Sequence, residues 1–456
     1  MWLHTTSIYR APLNYEEMDF YDKSMGSQIN IDIPVYLNVG SEFPDLALAT
    51  QLLIDKELKD NGVEGWHLNI LTGEGTSKDY NIGFRLGEDE SYVISDISRI
   101  VMITYSLELV SVGRVPHFVV AVLMDHLFKE EIDMYKRKDE QRDDTKVLQY
   151  SPKYHLTFSL FYGGGDPISW EMNEALEKYF SPLRDCLKST VNLTIDTQIQ
   201  FYSEIGSNPV RHEDEEKSLS WVLEKEDLST FVNFAEWSLT SIHSYPTLHF
   251  ILYVPDGPHT PLIIRDSSTN SFTVPQWGGV VIQNRLPDDS KYITKEELEP
   301  VLETFSSQFL NLIGAPSNPK SLFIRLDIFS RISSVRTLMT TASALGSLHR
   351  LSQSLPDIAI PKPVLVSVQD SVASIKASLK ALRNADWNTA IVSAGDSLSK
   401  SQRAFFDKMM VQQAFFPEEH KVAIYMPLLG PMGIVMAIGL ARGYKEWKEG
   451  RKLKED

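Results

Sequence analysis

The chain has 456 residues, of which 23% are charged, 43% hydrophobic and 10% aromatic, with a formal net charge of −17. The apolar fraction is enough for two or three cores, while the charge excludes a general nucleic-acid binder, because nothing would offset phosphate repulsion. The lone cysteine, Cys186, excludes an intrachain disulfide and a cysteine-rich zinc site.

The opening, MWLHTTSIYRAPLNYEEMDF, has no apolar stretch of the kind that starts translocation. IDIPVYLNV (31–39) alternates and predicts a strand. LALATQLLIDKELKD (46–60) has helical spacing and stops at Asn61-Gly62. Residues 80–87 and 91–96 read as strands. Residues 115–141 read as a helix that leaves a core and fades into a solvated, charged segment at 136–146. In KYHLTFSLFYGGGD, Tyr154, Leu156, Phe158 and Leu160 share one face of a strand that ends at Gly163-Gly164-Gly165. A helix over 168–188 and a strand over 193–202 complete a strand–helix–strand unit with a right-handed crossover. The triple glycine could cradle a phosphate. It lacks the Lys-Ser/Thr of a P-loop, and Asp166 stands where an anion would sit, so it reads as a plain loop.

Residues 247–255 and 261–266 read as strands around a Pro/Gly turn. Residues 271–284 read as one strand interrupted at Trp277-Gly278-Gly279. Thr294 and Glu297 form a capping box. It opens a helix whose Leu298, Val301, Leu302, Phe305, Phe309 and Leu312 make one apolar stripe. From about 330 strand signals stop, and helices are predicted over 333–355, around Val364–Leu382 and over 386–410. No repeat appears. The fold class is therefore α/β: a mixed-sheet domain over 1–329, a helical region over 330–417, one membrane helix over 422–441 and a basic tail over 442–456.

The membrane helix is read from a run without charge between Val422 and Ala441. About 20 residues at 1.5 Å each cover a hydrocarbon core of ~30 Å. Tyr425, Tyr444 and Trp447 flank it as interfacial aromatics do. Pro427 and Pro431 suggest a kink. Gly433 and Ala437, like Gly439 and Gly443, have the spacing that lets another helix approach closely. Arg442, Lys445, Lys448, Arg451, Lys452 and Lys454 follow it, so the charge bias puts the tail in the cytosol and the acidic body on the lumenal side. Lys452 and Lys454 form a candidate dilysine signal for endoplasmic-reticulum retrieval. Asn192-Leu193-Thr194 is a sequon, which makes Asn192 a candidate N-glycosylation site. A lumenal body needs a targeting segment, and an upstream one is expected.

Catalytic motifs are not evident. There is no G-x-S-x-G elbow and no H-E-x-x-H helix. The run from His212 to Glu216 is rich in ligand types but reads as an acidic loop. Asp125-His126 reads as salt-bridging, and His155, His249 and His259 as structural histidines. Cys186 reads as a buried, inert thiol. No metal or cofactor is expected. Were the chain a membrane-tethered hydrolase or transferase, His155, His249 and Cys186 would be its first candidates.

Several stretches together carry a resemblance: TTSIYRAPLNY, VNLTIDTQIQFY, TLHFILYVPDGPHTPLIIRD, VPQWGGVVIQN and FPEEHKVAIYMPLLGPM. In this order they resemble the PIG-S family, the class S subunits of the GPI transamidase. The resemblance implies a non-catalytic accessory subunit in the endoplasmic-reticulum membrane, with a large lumenal domain between two membrane helices. This chain starts where the first of those helices should end. The implied partners are the other transamidase subunits, including a PIG-K-like protease that carries the catalytic cysteine, the membrane, and the GPI lipid or proprotein signal. Nucleic acid is not among them. Asn192 lies where the family also tends to carry a sequon.

Overall fold

The computed structural model describes residues 9–40, 43–136, 147–165, 168–203, 209–213, 219–224, 228, 245–285, 292–356, 358–415 and 418–452. Side chains at 213, 219, 412–426, 428–429 and 448–452 lie outside the described residues. The chain divides into two compact units. One contains residues 26–338 and 374–396, the other residues up to 25, 339–373 and from 397 on.

Helix α1 (Tyr15–Gln28) precedes a first five-stranded sheet. Its strands are β1 (Ile31–Asn38), β2 (Trp66–Thr72), β3 (Tyr80–Leu86), β4 (Ser91–Ile94) and β5 (Ile100–Tyr105), with α2 (Leu46–Asp60) between β1 and β2. The sheet order is β2-β1-β3-β5-β4. All pairings are parallel except that of the edge strand β4 with β5. Helices α3 (Leu107–Ser111), α4 (Val115–Ala121) and α5 (Lys129–Lys136) follow, with a π-helical turn at Val122–Leu127. The predicted helix over 115–141 is thus broken by that turn, and its last residues, 137–141, lie outside the described ones. The sequence pattern predicts neither strands β2 and β5 nor helix α1.

A second five-stranded sheet follows. It contains β6 (Lys153–Tyr162), β8 (Asn192–Gln200), β11 (Thr247–Val254), β13 (Ser271–Val274) and β14 (Gly278–Ile282). The two-residue β7 (Ser169–Trp170), α6 (Met172–Ala175), a π-helical turn (Leu176–Phe180) and α7 (Ser181–Leu187) link β6 to β8. The order is β13-β14-β11-β6-β8, and only β13 runs antiparallel, against β14. The stretch 271–284 is therefore a hairpin of two strands. The left-handed Gln276 (φ 62°) and the positive φ of Gly278 (154°) turn the chain at the point where an interruption was expected.

Read by position in the chain, both sheets have the same order: second, first, third, fifth, fourth strand. Both put a helical crossover between the first two strands, parallel neighbours in the middle, and an antiparallel fourth strand at the edge. The chain therefore contains one topology twice, although no repeat is evident in its sequence. A fold tolerates such divergence because it needs an alternating pattern and turn positions, not particular side chains.

In the second copy the faces differ. Leu156, Phe158, Leu160, Leu248, Phe250 and Leu252 point to the helical side. There they meet α8 (Lys295–Ile313), whose predicted stripe is buried in full. The Thr294–Glu297 capping box is formed at its start, and Gly314 closes it in the left-handed conformation. The opposite face carries Phe161, Ile251, Tyr253, Val280 and Ile282. It is covered by a small sheet of β9 (Val210–Glu213), β10 (Leu219–Leu223) and β12 (Leu262–Ile264), which contributes Leu223, Leu262 and Ile264. His212 and Glu213 lie on β9, so that part of the expected acidic loop is strand. The remainder, 214–216, lies outside the described residues. The last strand, β15 (Tyr292–Ile293), pairs with β7.

In the first copy the helical side is held by a buried ionic network. Arg331, fully buried, donates to both oxygens of Glu131 at 2.8 and 2.7 Å and to the Tyr80 hydroxyl at 3.2 Å. Trp66 Nε1 donates to Glu131 at 3.2 Å, Tyr80 to Asp327 at 3.0 Å, and Arg99 Nη2 to Asp327 at 2.6 Å. The Arg331 guanidinium also lies 4.7 Å from the centroid of the Trp387 ring.

The C-terminal helices are α9 (Leu322–Ser354), α10 (Lys362–Arg383), α11 (Trp387–Phe405), α12 (Lys408–Phe415) and α13 (Glu418–Lys452). Helix α9 begins earlier than the predicted 333. In the unit that takes its second half, Thr341 bonds Ser397 at 3.1 Å, and Ser371 donates to the Ser397 carbonyl at 2.8 Å. Asp22 of α1 sits within contact of Gly346, where an added Cβ would lie 2.1 Å from its carboxyl, and it also pairs with Arg350. The opening segment joins the same unit. Ala11 donates to Ile360 at 2.8 Å, and Arg10 Nη2 to the Ser352 carbonyl at 2.7 Å.

The expected membrane helix over 422–441 falls inside α13. Among the described residues, no helix is long and apolar enough to cross a membrane. The described side chains of α13 continue from Gly430 into Arg442, Lys445 and Glu446, and those charges dilute the apolar stretch. Val422 and its neighbours, at the start of the run, have side chains outside the description.

Candidate functional site

The first question is whether the candidate histidines and the thiol meet. Two of the three do. On the face of the second sheet away from α8, His155 and His249 stand on neighbouring parallel strands, with Thr157 opposite His249. His155 is 2% exposed. Its Nδ1 lies 3.0 Å from Thr194 Oγ1 and its Nε2 3.3 Å from Asp196 Oδ2. His155 thus bonds a hydroxyl through Nδ1 and has a carboxylate within ion-pair distance of Nε2, a placement that a catalytic histidine also takes.

The surroundings do not complete that chemistry. The Thr194 hydroxyl donates to the Tyr154 carbonyl at 3.3 Å and lies 3.4 Å from the Tyr245 hydroxyl. Among the described residues no pair of donors is aimed at a reacting atom beside it. His249 packs on Trp277 with ring centroids 5.5 Å apart. Its buried Nδ1 has no hydrogen-bond partner among the described residues. Burial, aided by the neighbouring His155, pushes its pKa down to about 4. It is therefore neutral near pH 7 and poorly matched to proton transfer there. Cys186 sits on α7, half-buried against the other side of the sheet. Burial, then the adjacent Asp185, raises its thiol pKa, the opposite of an activated nucleophile.

The cleft beside β8 has a volume of about 630 Å³ and is lined by Asn173, Glu177, Arg184, Asp196 and Gln198 among others. Its lining pairs no nucleophile with a base. His259 bonds Asp256 at 2.6 Å beside Trp221 in a turn. His126 faces the Tyr92 ring at 4.8 Å. Among the described residues, no group of three or more His, Cys, Asp or Glu could hold a metal ion. Gly164 and Gly165 are crowded by the rings of Tyr162 and Tyr202, which fill the space that a phosphate would need.

Asn192 opens β8, the edge strand of its sheet, and is exposed. Of the apolar-run residues, Pro427, Pro431, Gly433, Ala437 and Ala441 are exposed on α13. So are Met432, Ile434, Val435, Met436, Ile438 and Leu440. An added Cβ on Gly433, Gly439 or Gly443 would meet nothing within 4 Å among the described residues. Lys452 ends α13 with its side chain outside the description, and Lys454 lies outside the described residues.

Comparison with known proteins adds what the geometry lacks. The family model described as phosphatidylinositol-glycan biosynthesis class S protein matches residues 1–450. The chain is 28% identical over 490 aligned positions to the GPI transamidase component GPI17 of Saccharomyces cerevisiae, covering 99% of this chain and 90% of that one. It is 27% identical to the GPI transamidase component PIG-S homolog of Schizosaccharomyces pombe, covering 99% of this chain and 82% of that one. It is 29% identical to the GPI-anchor transamidase component PIGS of Homo sapiens, over 73% of this chain and 63% of that one.

Proposed function

The chain belongs to the phosphatidylinositol-glycan biosynthesis class S family, and from that membership we infer that it is an accessory component of the GPI transamidase complex. The observation that carries this is the match to two fungal components along 99% of the chain. Similarity along 99% of the given chain supports the same role by analogy with those components. The role is contact rather than catalysis. Its best catalytic corner holds a histidine with a depressed pKa, and its thiol lies on the other side of the sheet. The bond cleavage then belongs to another chain, a PIG-K-like cysteine protease. This subunit would hold that protease, the other subunits and the GPI lipid or proprotein signal together.

The reading extends to the membrane. The apolar run at 422–441 and the exposed Met432, Ile434, Val435, Ile438 and Leu440 of α13 support attachment to the endoplasmic-reticulum bilayer. The mixed α/β body would be lumenal, the basic tail cytosolic, Asn192 glycosylated, and Lys452 and Lys454 read as a retrieval signal. The test is depletion of the protein, followed by flow cytometry of GPI-anchored surface proteins and affinity purification of the complex. Loss of surface anchoring and recovery of the other transamidase subunits are expected. Normal anchoring with no associated subunit would reject the reading.

A further inference from the structure

The two copies of the α/β topology differ in one respect that bears on partners. In the second copy both sheet faces are covered, one by helices and one by the β9-β10-β12 layer. That layer comes from insertions after the second and third strands, within 201–246 and 255–270. The first copy has only residues 73–79 and 87–90 at those places. Among the described residues no such layer covers its face away from the helices, where Val93, Ile100 and Met102 are exposed.

Strand register defines this face. Val93 of β4 lies opposite Met102 of β5, and Met102 opposite Gly83 of β3. Met102 lies over Gly83, where an added Cβ would meet its Cε at 2.8 Å. Ile100, two residues earlier on the same face, is 50% exposed, Val93 64% and Ile97, in the turn between the two strands, 62%. The corresponding edge pair of the second copy, Phe272 and Val280, belongs to the core formed with the covering layer. Sheets dominated by parallel strands are normally buried on both faces. A patch of Val, Ile and Met at the edge of such a sheet marks a site that something covers. The loop beside the patch, residues 87–90, carries the exposed Glu88 and Asp89.

We propose that the open face of the first sheet, centred on Val93, Ile100 and Met102, is the surface on which another subunit of the complex docks. Resting on the membership inferred above, the occupant is a polypeptide layer like the one the chain supplies to its own second sheet. It presents an aliphatic strip to Val93, Ile100 and Met102, flanked by basic side chains that face Glu88 and Asp89.

The test uses the full chain, affinity-tagged in cells lacking the endogenous protein. Two variants probe the two parts of the surface: Val93→Lys with Ile100→Lys, and Glu88→Lys with Asp89→Lys. All four side chains are exposed, so each variant should melt with the wild type. Leu48→Lys with Leu52→Lys, two exposed positions on α2, is the control. The first variant is expected to recover the other transamidase subunits at least about tenfold less well, the second to lose them more steeply as salt rises, and the control to match the wild type. Wild-type recovery by either folded surface variant overturns the proposal. So does co-purification of two differently tagged copies through this face, which would make the occupant a second copy of the chain. If the unaltered chain itself recovers no subunit, complex membership is what fails.

Discussion

Arg331→Met is the sharpest probe of the first α/β copy. The substitution keeps most of the side-chain length and removes the guanidinium. Glu131, 0% exposed, would then keep, among the described residues, the Trp66 indole at 3.2 Å, and the Tyr80 hydroxyl would lose one partner. A buried carboxylate stripped of its counter-ion costs about 3–5 kcal/mol. The lost contact with Trp387 adds to this, though not additively. Against a total of about 5–15 kcal/mol for a domain, the variant should lose about a fifth of its stability or more. Replacing both partners, as Glu131→Leu with Arg331→Met, removes the stranded charge and should recover most of the loss. Urea unfolding followed by tryptophan fluorescence of four proteins, the wild type, Arg331→Met, Glu131→Leu and the pair, closes the double-mutant cycle, which should give a coupling of about 2 kcal/mol or more. A cost below about 1 kcal/mol for Arg331→Met, or no recovery in the pair, would refute the argument that this network is a buried, mutually dependent charge pair.

Three further outcomes are expected. His249 has its pKa depressed from the ordinary 6.5 to about 4, so the unfolded chain binds the proton first. Stability should fall as pH drops from about 6.5 toward 4, by at most about 3 kcal/mol, and His249→Phe should flatten that slope in acid denaturation. Gly278 has φ 154° and would place a Cβ 1.9 Å from the His249 carbonyl oxygen, so Gly278→Ala should cost about 3 kcal/mol or more, or abolish folding, read as a loss of soluble protein and of melting temperature. Glycosidase treatment of the chain from eukaryotic cells should increase its mobility. The shift should vanish in Asn192→Gln, and its absence in the unaltered protein would place the body outside the lumen or leave the site unused.

Much of this protein is legible along the chain, because the informative patterns are local. Alternation marked β1 and β6, helical spacing marked α2 and the buried stripe of α8, and Thr294 with Glu297 marked the start of α8. The family resemblance could likewise be read from short segments rich in Trp, Gly and Pro. Strands β2 and β5 escaped for different reasons: β2 alternates over its first four residues and then fades into exposed positions, while β5 is one short apolar run that periodicity alone does not assign. The hairpin of β13 and β14 escaped because a positive φ at Gln276 looks in sequence like an interruption. Other features belong only to the folded chain. Residues 131 and 331 become a charge pair, and 155 and 196 neighbours, because parallel crossovers bring distant segments side by side. The doubled strand order, and the exposed Val93, Ile100 and Met102 that it sets on one sheet face, exist only as a pattern of pairings. Sequence periodicity records which way each side chain points. Which strands become neighbours, and so which face finds a cover, is settled by long-range packing that no local pattern encodes.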